Sequence, residues 1–460
     1  MPVFPLEELR AMSPRPRIHF IGIGGVHMSA MAELLYTRGF PVTGNDKNES
    51  DNVAHLRQVG IHVDIGHQPE YVRGADIIVR NAAIHDDSPD VMEARRLALP
   101  IYERPEVLGA LMKDSRVRVC VAGTHGKTTT TAMCAGIAVA AETDPTIFCG
   151  GKLPETNSAF RFGDSDVFIA EACEYCDSFL SFYPTHSVIL NVEEDHLDYF
   201  KDIHQIRDSF RRFADLVPAD GGVTAAFGDD GSIREFLQGV KKKIVYFGFH
   251  AENDYIAANL TEELGYYSFD VVYDGEILCH IRLAVPGRHA VIDAMAAFTI
   301  SVAYGVDPEV AARALENFHG AKRRFEKVGT FKGIQVVDDF AHHPGELKTT
   351  LDAAKRMGYK RVICLFQPHT YTRTEALYKD FARELSAADV TILAPIYPAR
   401  EENIHNISSA LIGNEMESCL LPASMEEAEE WIRREAREGD LILTVGAGDI
   451  FKVAYSLIKD

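Results

Sequence analysis

Residues 117–130 constrain the fold more than any other part of the chain. Val117-Arg118-Val119-Cys120-Val121-Ala122 is an apolar β-type run, Gly123-Thr124-His125-Gly126-Lys127-Thr128-Thr129-Thr130 follows without a break, and an alanine-rich helical stretch comes next. Strand, glycine loop and helix in that order make a phosphate cradle: the loop closes its N–H groups round an anion and Lys127 adds a cation. The helix N-terminus adds its dipole, and the Thr128 hydroxyl suits magnesium. An incidental lysine in a glycine turn would not need the flanking strand and helix. The general motif has a glycine where Val121 stands, so this is the shorter G-T-x-G-K-T form.

At 460 residues the chain exceeds what one hydrophobic core serves, and two or three domains are expected. The first opens with the strand-like Arg17-Ile18-His19-Phe20-Ile21, the turn Gly22-Ile23-Gly24-Gly25 and a helical stretch over 28–38, with a second strand over 77–79. The turn is close to a dinucleotide fingerprint but carries His27 where the third glycine belongs, so it suits the diphosphate of any nucleotide rather than NAD in particular. Pro100, Pro105 and the charged stretch 113–116 break the pattern, which puts a domain boundary near 105–116. The middle segment mixes buried strand-like runs over 167–170 and 187–190 with a hairpin about Asp274-Gly275. From Arg323 on, apolar runs over 334–337, 362–366, 390–394 and 441–445 alternate with polar helical stretches, the pattern of an open parallel sheet covered by helices.

A net charge of -21 repels a phosphate backbone, so nucleic-acid binding is excluded as a general activity while a local cationic pocket is not. Eight scattered cysteines lack the spacing of a disulfide framework, the start is not a signal peptide, and the apolar run 133–141 is too short to span a bilayer. A cytoplasmic protein with no membrane partner, monomeric or homodimeric, is expected.

Two segments stand just after apolar runs, where an open parallel sheet gathers its ligands: Glu171-Ala172-Cys173-Glu174 and Glu193-Glu194-Asp195-His196-Leu197-Asp198. Glu171 and His196 are the candidate magnesium ligands, although magnesium prefers oxygen and His196 could equally orient a ligand. The Cys173/Cys176 pair has no second pair to complete a zinc site and is taken as two ordinary small residues. In the last segment, Arg324 and Arg373 are forks that fit phosphate or carboxylate. Pro344 suits the first turn of a helix and leaves Asp339, His342 and His343 at the mouth of the sheet, as site residues or as a solvated pair.

Taken together, G-T-H-G-K-T-T-T-T, E-A-C-E, D-H-L-D-Y-F, K-R-R-F-E, D-D-F-A-H-H-P, F-Q-P-H-T-Y-T-R-T and the closing G-A-G-D-I resemble the Mur ligase family nearly end to end. The resemblance implies an α/β protein of three domains. These are an N-terminal Rossmann-like UDP-sugar domain over 1–110, a central P-loop ATP domain over 111–322 and a C-terminal Rossmann-like amino-acid domain over 323–460. It implies ATP and Mg2+ as cofactors, and amide formation between UDP-N-acetylmuramate and L-alanine through an acyl phosphate in peptidoglycan precursor synthesis. Gly123, Thr124, His125, Gly126, Lys127, Thr128, Thr129, His289, Arg324 and Asp339 would then bind ATP, and Thr128, Glu171 and His196 the metal. Gly22, Gly24, Gly25, Met28 and Ser29 would bind the UDP-sugar, with His342, His369 and Arg373 at the reacting carboxylate and the amino acid. Lys127, Arg324 and His342, the last a candidate general base, would carry catalysis.

Three departures from the family pattern stand out. Ala290 and Asp293 replace asparagines that usually meet adenine, the run from Arg80 to Ile84 replaces a serine-rich stretch on the uridine side, and His27 replaces a glycine. The competing readings are a sister ligase that attaches a recycled peptide to the same sugar acid and a non-catalytic nucleotide binder. A nicotinamide oxidoreductase would leave the whole phosphate loop unexplained.

Overall fold

The computed structural model describes residues 3–153, 156, 158–196, 199–399 and 401–459; Leu197 and Asp198 of the D-H-L-D-Y-F stretch lie outside them. The first sheet holds β1 (Ile18–Ile21), β2 (Val42–Asp46), β3 (His62–Ile65), β4 (Ile77–Arg80) and β5 (Ile101–Glu103). They run parallel in the order β3-β2-β1-β4-β5. β1 is buried along its whole length, as a parallel strand covered on both faces must be, which is why its sequence shows no alternation. The order reverses beside β1, so the turn from Gly22 to Gly25 and the helix Val26–Thr37 stand where a doubly wound sheet opens a crevice.

The second sheet contains β6 (Val117–Ala122), β7 (Thr146–Phe148), β8 (Phe160–Arg161), β9 (Val167–Glu171), β10 (His186–Ile189), β11 (Val223–Phe227) and β12 (Ile244–Gly248), followed by β13 (Tyr255–Glu263), β14 (Tyr266–Tyr273) and β15 (Glu276–Pro286). β6 lies between β9 and β10, parallel to both. The phosphate loop therefore emerges between the segments that follow Glu171 and Ile189. β14 and β15 form the expected hairpin about Asp274 and Gly275, both in the left-handed conformation that a two-residue hairpin loop requires.

The third sheet runs β16 (Glu326–Phe331), β17 (Ile334–Asp339), then β20 (Asp440–Val445), β18 (Arg361–Phe366) and β19 (Val390–Leu393). The four strands read from the sequence are parallel, but β16 is an antiparallel edge strand. Only Lys332 and Gly333 separate β16 from β17, a link too short for a parallel crossover.

Pro105 does not interrupt the chain. It sits in the first turn of the helix Arg104–Met112, where a missing N–H is harmless, and Glu103 and Glu106 cap that turn reciprocally. This helix carries the first domain onto the second: Val107, Leu108 and Leu111 share one buried cluster with Phe20 on one side and Phe179 and Phe210 on the other. Among the described residues, no helix is long and apolar enough to cross a membrane.

The closest approach at that junction is Gly109, where a Cβ would stand 2.1 Å from the Ser181 carbonyl oxygen. Alanine gains about 1 kcal/mol of helix propensity there, but a backbone atom cannot yield as a side chain does, and overpacking costs roughly 1–3 kcal/mol. Gly109→Ala is therefore expected to lower the denaturant midpoint. An unchanged or raised midpoint would contradict the packing.

Candidate functional site

The phosphate loop is held from beneath by the segment after β10. Asn191 accepts from the His125 N–H at 2.7 Å through its side-chain oxygen and donates to the His125 carbonyl at 3.1 Å, while the Thr124 hydroxyl accepts from the Glu193 N–H at 2.9 Å. Gly126 has φ of 82°, and a Cβ on it would meet the Asp293 carboxylate at 2.5 Å, so only glycine fits on both counts.

Lys127 and Thr128 begin the helix Lys127–Ala140. The Lys127 ammonium donates to the Gly123 carbonyl, to the Thr124 carbonyl at 2.9 Å and to Glu174 at 3.1 Å. Burial opposes this charge, but Glu174, together with Cys173 and Glu171, outweighs it and raises the Lys127 pKa. The Thr128 hydroxyl donates to Glu171 at 2.9 Å, and the same Glu171 oxygen accepts from the Gly150 N–H at 2.8 Å. The expected metal set is thus divided. Thr128 and Glu171 are together, whereas His196 stands with Glu174 and Asp195, 4.0 and 3.7 Å away. Glu174, three residues beyond Glu171 at the end of the same strand, was not singled out from the sequence, although the E-x-x-E spacing marks it.

The third domain covers this floor through the linker Ala321–Glu326. Arg323 and Phe325 have φ of 60° and 48°, left-handed values that non-glycine residues hold only when their surroundings enforce them. The enforcement is visible. The Arg323 guanidinium binds the buried Asp338 at 3.0 Å and the Gly446 carbonyl at 2.6 Å, while the Phe325 N–H donates to Asp339 at 2.7 Å. Between them, Arg324 reaches Thr128 of the phosphate-loop helix, Nη2 to Oγ1 3.5 Å, and lies 3.9 Å from Glu346. Asp339 lines the cleft but also accepts from Ala341 N–H at 2.8 Å and Thr350 at 3.2 Å. Burial pushes its carboxyl up to about 6, so bracing the linker is the work its hydrogen bonds show.

Glu346, in the first turn of the helix Pro344–Arg356, is the hub that sequence reasoning missed. Its carboxylate faces His342 at 3.3 Å, His125 at 3.4 Å and Arg324. Burial opposes ionisation, yet these groups hold the carboxyl well below the usual range. His342, His369 and Arg373 do come together: the imidazoles are 5.9 Å apart and Arg373 is 3.5 Å from His369. Burial lowers the pKa of both histidines, that of His369 to about 4.

Three clefts meet at this junction. One of about 220 Å³ runs from Thr129 and His125 past Arg324 to His289, Ala290 and Asp293. A second, of about 700 Å³, joins Arg324 and Thr128 to Gly150. The third, of about 790 Å³, leads from Gly150 to Gly25, His27 and Met28 at the start of the helix Val26–Thr37. In that turn the N–H groups of Gly22 and Gly24 are spent on the Asn45 carbonyl and the Asp46 carboxylate, at 2.8 and 2.9 Å, and the Ser29 hydroxyl on the Val26 carbonyl at 2.9 Å. The donors left open there are the first-turn N–H groups of Val26, His27 and Met28. At the other end, burial pushes the Asp293 carboxyl up to about 7 and the His289 imidazole down to about 4.

His125 links the second and third domains electrostatically. Burial disfavours its charge, but Glu193 at 3.6 Å and Glu346 at 3.4 Å outweigh this and raise its pKa to about 9. A folded pKa above the unfolded one stabilises fully below about pH 6.5 and is lost as pH rises through the folded value. His125→Gln should therefore cost on the order of 2 kcal/mol near pH 6 and progressively less toward pH 9.5, measured by urea denaturation. A deficit independent of pH would contradict the ion pairing.

The chain matches the Mur ligase family catalytic domain over residues 17–116, the Mur ligase middle domain over 121–301 and the Mur ligase glutamate ligase domain over 323–448. It is 44% identical over 449 residues, 96% of this chain and 97% of the relative, to the UDP-N-acetylmuramate–L-alanine ligase of Caldanaerobacter subterraneus subsp. tengcongensis. It is 42% identical, with 96% and 98% covered, to the enzyme of the same name from Clostridium tetani. Among solved structures it resembles the UDP-N-acetylmuramate-alanine ligase of Thermotoga maritima (TM-score 0.81, 27% identity, 96% of this chain and 98% of that one). It also resembles a murein peptide ligase of Psychrobacter arcticus (TM-score 0.72, 26% identity, 96% and 98%). By three successive domain matches and by identity across its length, the chain belongs to the Mur ligase family.

Proposed function

We propose that the protein is an ATP-dependent ligase that joins the amine of L-alanine to the carboxylate of UDP-N-acetylmuramate, through an acyl phosphate, in peptidoglycan precursor synthesis. The observation that carries this reading is the meeting of Lys127, Thr128 and Arg324 across two domains, at the point where the cleft toward His289 and Asp293 and the cleft toward Gly150 converge. The full-length relatives that bear the alanine ligase name support it.

The chemistry follows from the charges. A carboxylate is a poor electrophile. Attack of one of its oxygens on the γ-phosphorus of ATP forms a mixed anhydride and releases ADP; attack of the alanine amine on the acyl carbon then forms the amide and expels phosphate. No protein nucleophile is needed, so catalysis is positioning and charge stabilisation. Lys127 and the loop from Gly123 to Thr129 hold the phosphates, and the nucleoside lies toward His289 and Asp293. Arg324 neutralises charge on the transferring group. The oxygen donors of Thr128 and Glu171 fit magnesium, with His196, Glu174 and Asp195 beside them; bound there, the ion would offset phosphate charge. Neutral His342, with Glu346 behind it, takes the proton from the alanine ammonium, and Arg373 and His369 hold the amino acid's carboxylate. The UDP-sugar lies along the cleft from the helix Val26–Thr37 to Gly150. Eight free thiols and an acidic chain support a cytoplasmic enzyme, monomeric or homodimeric.

Purified protein with ATP, magnesium and UDP-N-acetylmuramate should release phosphate only when L-alanine is added, with a product of alanyl mass. A product formed only with a recycled murein peptide would select the sister activity, and no release with any acceptor amine would select a non-catalytic binder. Lys127→Ala should reduce phosphate release at least 100-fold, in line with loss of a preorganised charge, while UDP-sugar affinity stays within about twofold because Lys127 does not line the cleft assigned to the sugar. Joint loss of both in calorimetric titration would overturn the assignment of the clefts.

A further inference from the structure

A further cleft, of about 540 Å³, opens beside the one that runs to His289 and Asp293. Its second-domain wall holds Phe227, Phe249 and Tyr267, with Arg288 and Ile292 of the helix Arg288–Ala303. Its third-domain wall is the helix Pro344–Arg356, through Thr349, Asp352, Ala353 and Arg356. That volume, and that mix of rings with a few polar groups, are those of a small-molecule site. His289, Ile292 and Thr349 line both clefts. The His289 ring rests on Gly287, where a Cβ would stand 2.3 Å from it, so one imidazole helps to divide the two spaces.

Charge in this cleft is unbalanced at one residue. Asp229 accepts from the Phe249 N–H at 2.8 Å and from Asn253 at 2.6 Å, and faces His250 at 3.5 Å; Asp352 accepts from Lys348 at 2.6 Å. Glu262 takes both the Arg356 guanidinium and the Tyr267 hydroxyl at 3.0 Å, which ties β13 and β14 to the third-domain wall. Arg288 has no such partner. Among the described residues it forms no ion pair or hydrogen bond, and its guanidinium is held 4.4 Å from the centroid of the Phe249 ring. A cation fixed over a ring in an aromatic-lined cleft selects a planar ligand that carries an anionic group.

We propose that this cleft is an effector site for a planar aromatic anion, which sets its acid group on Arg288 and its rings among Phe227, Tyr267 and Ala353, and strengthens nucleotide binding on the far side of His289. Arg288 touches the ligand, and Phe249 is a positioning residue that holds the guanidinium. The coupling has a mechanical basis. Effector and nucleotide each bridge the helix Arg288–Ala303 to the helix Pro344–Arg356, so each stabilises the arrangement of the two domains that the other needs. The effector site stands apart from the ligase reading, whereas the coupling rests on it for the place of the nucleotide.

Anilinonaphthalene sulfonate, a planar aromatic anion that fluoresces when removed from water, is the probe, titrated into the full chain with and without saturating ADP. Its affinity should rise about fivefold with ADP present, and calorimetry should show ADP tightened by the same factor when the probe is bound. Arg288→Met should weaken the probe about tenfold, the effect of a lost charge-assisted contact. Phe249→Leu should weaken it about threefold, and Phe249→Tyr, which keeps the ring, should restore it. Without the probe, ADP affinity equal to wild type reports that each variant is folded. Displacement of the probe by ADP would assign the cleft to the nucleoside and overturn the proposal. Probe affinity unchanged by Arg288→Met, or indifferent to ADP, would overturn it as well. A wild type that binds the probe through Arg288 but binds no ADP would uphold the site and count against the nucleotide reading alone.

Discussion

The backbone at Arg323 and Phe325 is the constraint on which the junction depends. Two left-handed residues flank Arg324, a conformation costing about 1–3 kcal/mol each where it is not enforced. Asp338 and Asp339 enforce it, one by gripping the Arg323 side chain and the other by accepting the Phe325 N–H. The two motifs K-R-R-F-E and D-D-F-A-H-H-P are thus one structural unit. Its product is the position of Arg324, which reaches the Thr128 hydroxyl on the neighbouring domain. Without the clamp the third sheet would still form, but its cation would not face the phosphate loop.

The chain is strongly acidic, yet its centre is arranged around cations. Lys127, His125 and Arg324 each meet a buried or half-buried carboxylate, respectively Glu174, Glu346 and Glu346 again, and His125 also faces the exposed Glu193. Such pairs are poor sources of stability, because desolvation offsets much of the attraction. Their value is positional. Lys127 is folded back on its own loop carbonyls, so a bound phosphate has to draw the ammonium from Glu174, and the carboxylate released lies beside Asp195 and His196. The acidic groups around the loop are therefore available as the phosphates arrive, which fits a site that handles a metal and a triphosphate together.

Much of this was legible in the sequence where function and local pattern coincide. The loop from Gly123 to Thr128, the β6 strand before it and the helix after it follow from residue types alone, as do the four parallel strands of the third sheet. The grouping of His342, His369 and Arg373 followed from family resemblance. What escaped depends on geometry between distant parts of the chain. Glu346 is an ordinary helix-start acid until His125, more than two hundred positions away in sequence, and Arg324, more than twenty away, are folded against it. β16 is antiparallel because of a two-residue link, and Pro105 stands in the first turn of a helix. The metal candidates divide into two neighbouring groups because Glu174, and not Glu171, faces His196.

The central claim is that the sugar acid's carboxylate attacks ATP at this junction and is activated as an acyl phosphate. The most direct measurement is oxygen transfer: UDP-N-acetylmuramate carrying oxygen-18 in its carboxylate, turned over with ATP and L-alanine, followed by mass analysis of the released phosphate. The account predicts one labelled oxygen in each phosphate formed per amide. Unlabelled phosphate alongside a normal alanyl product would contradict it.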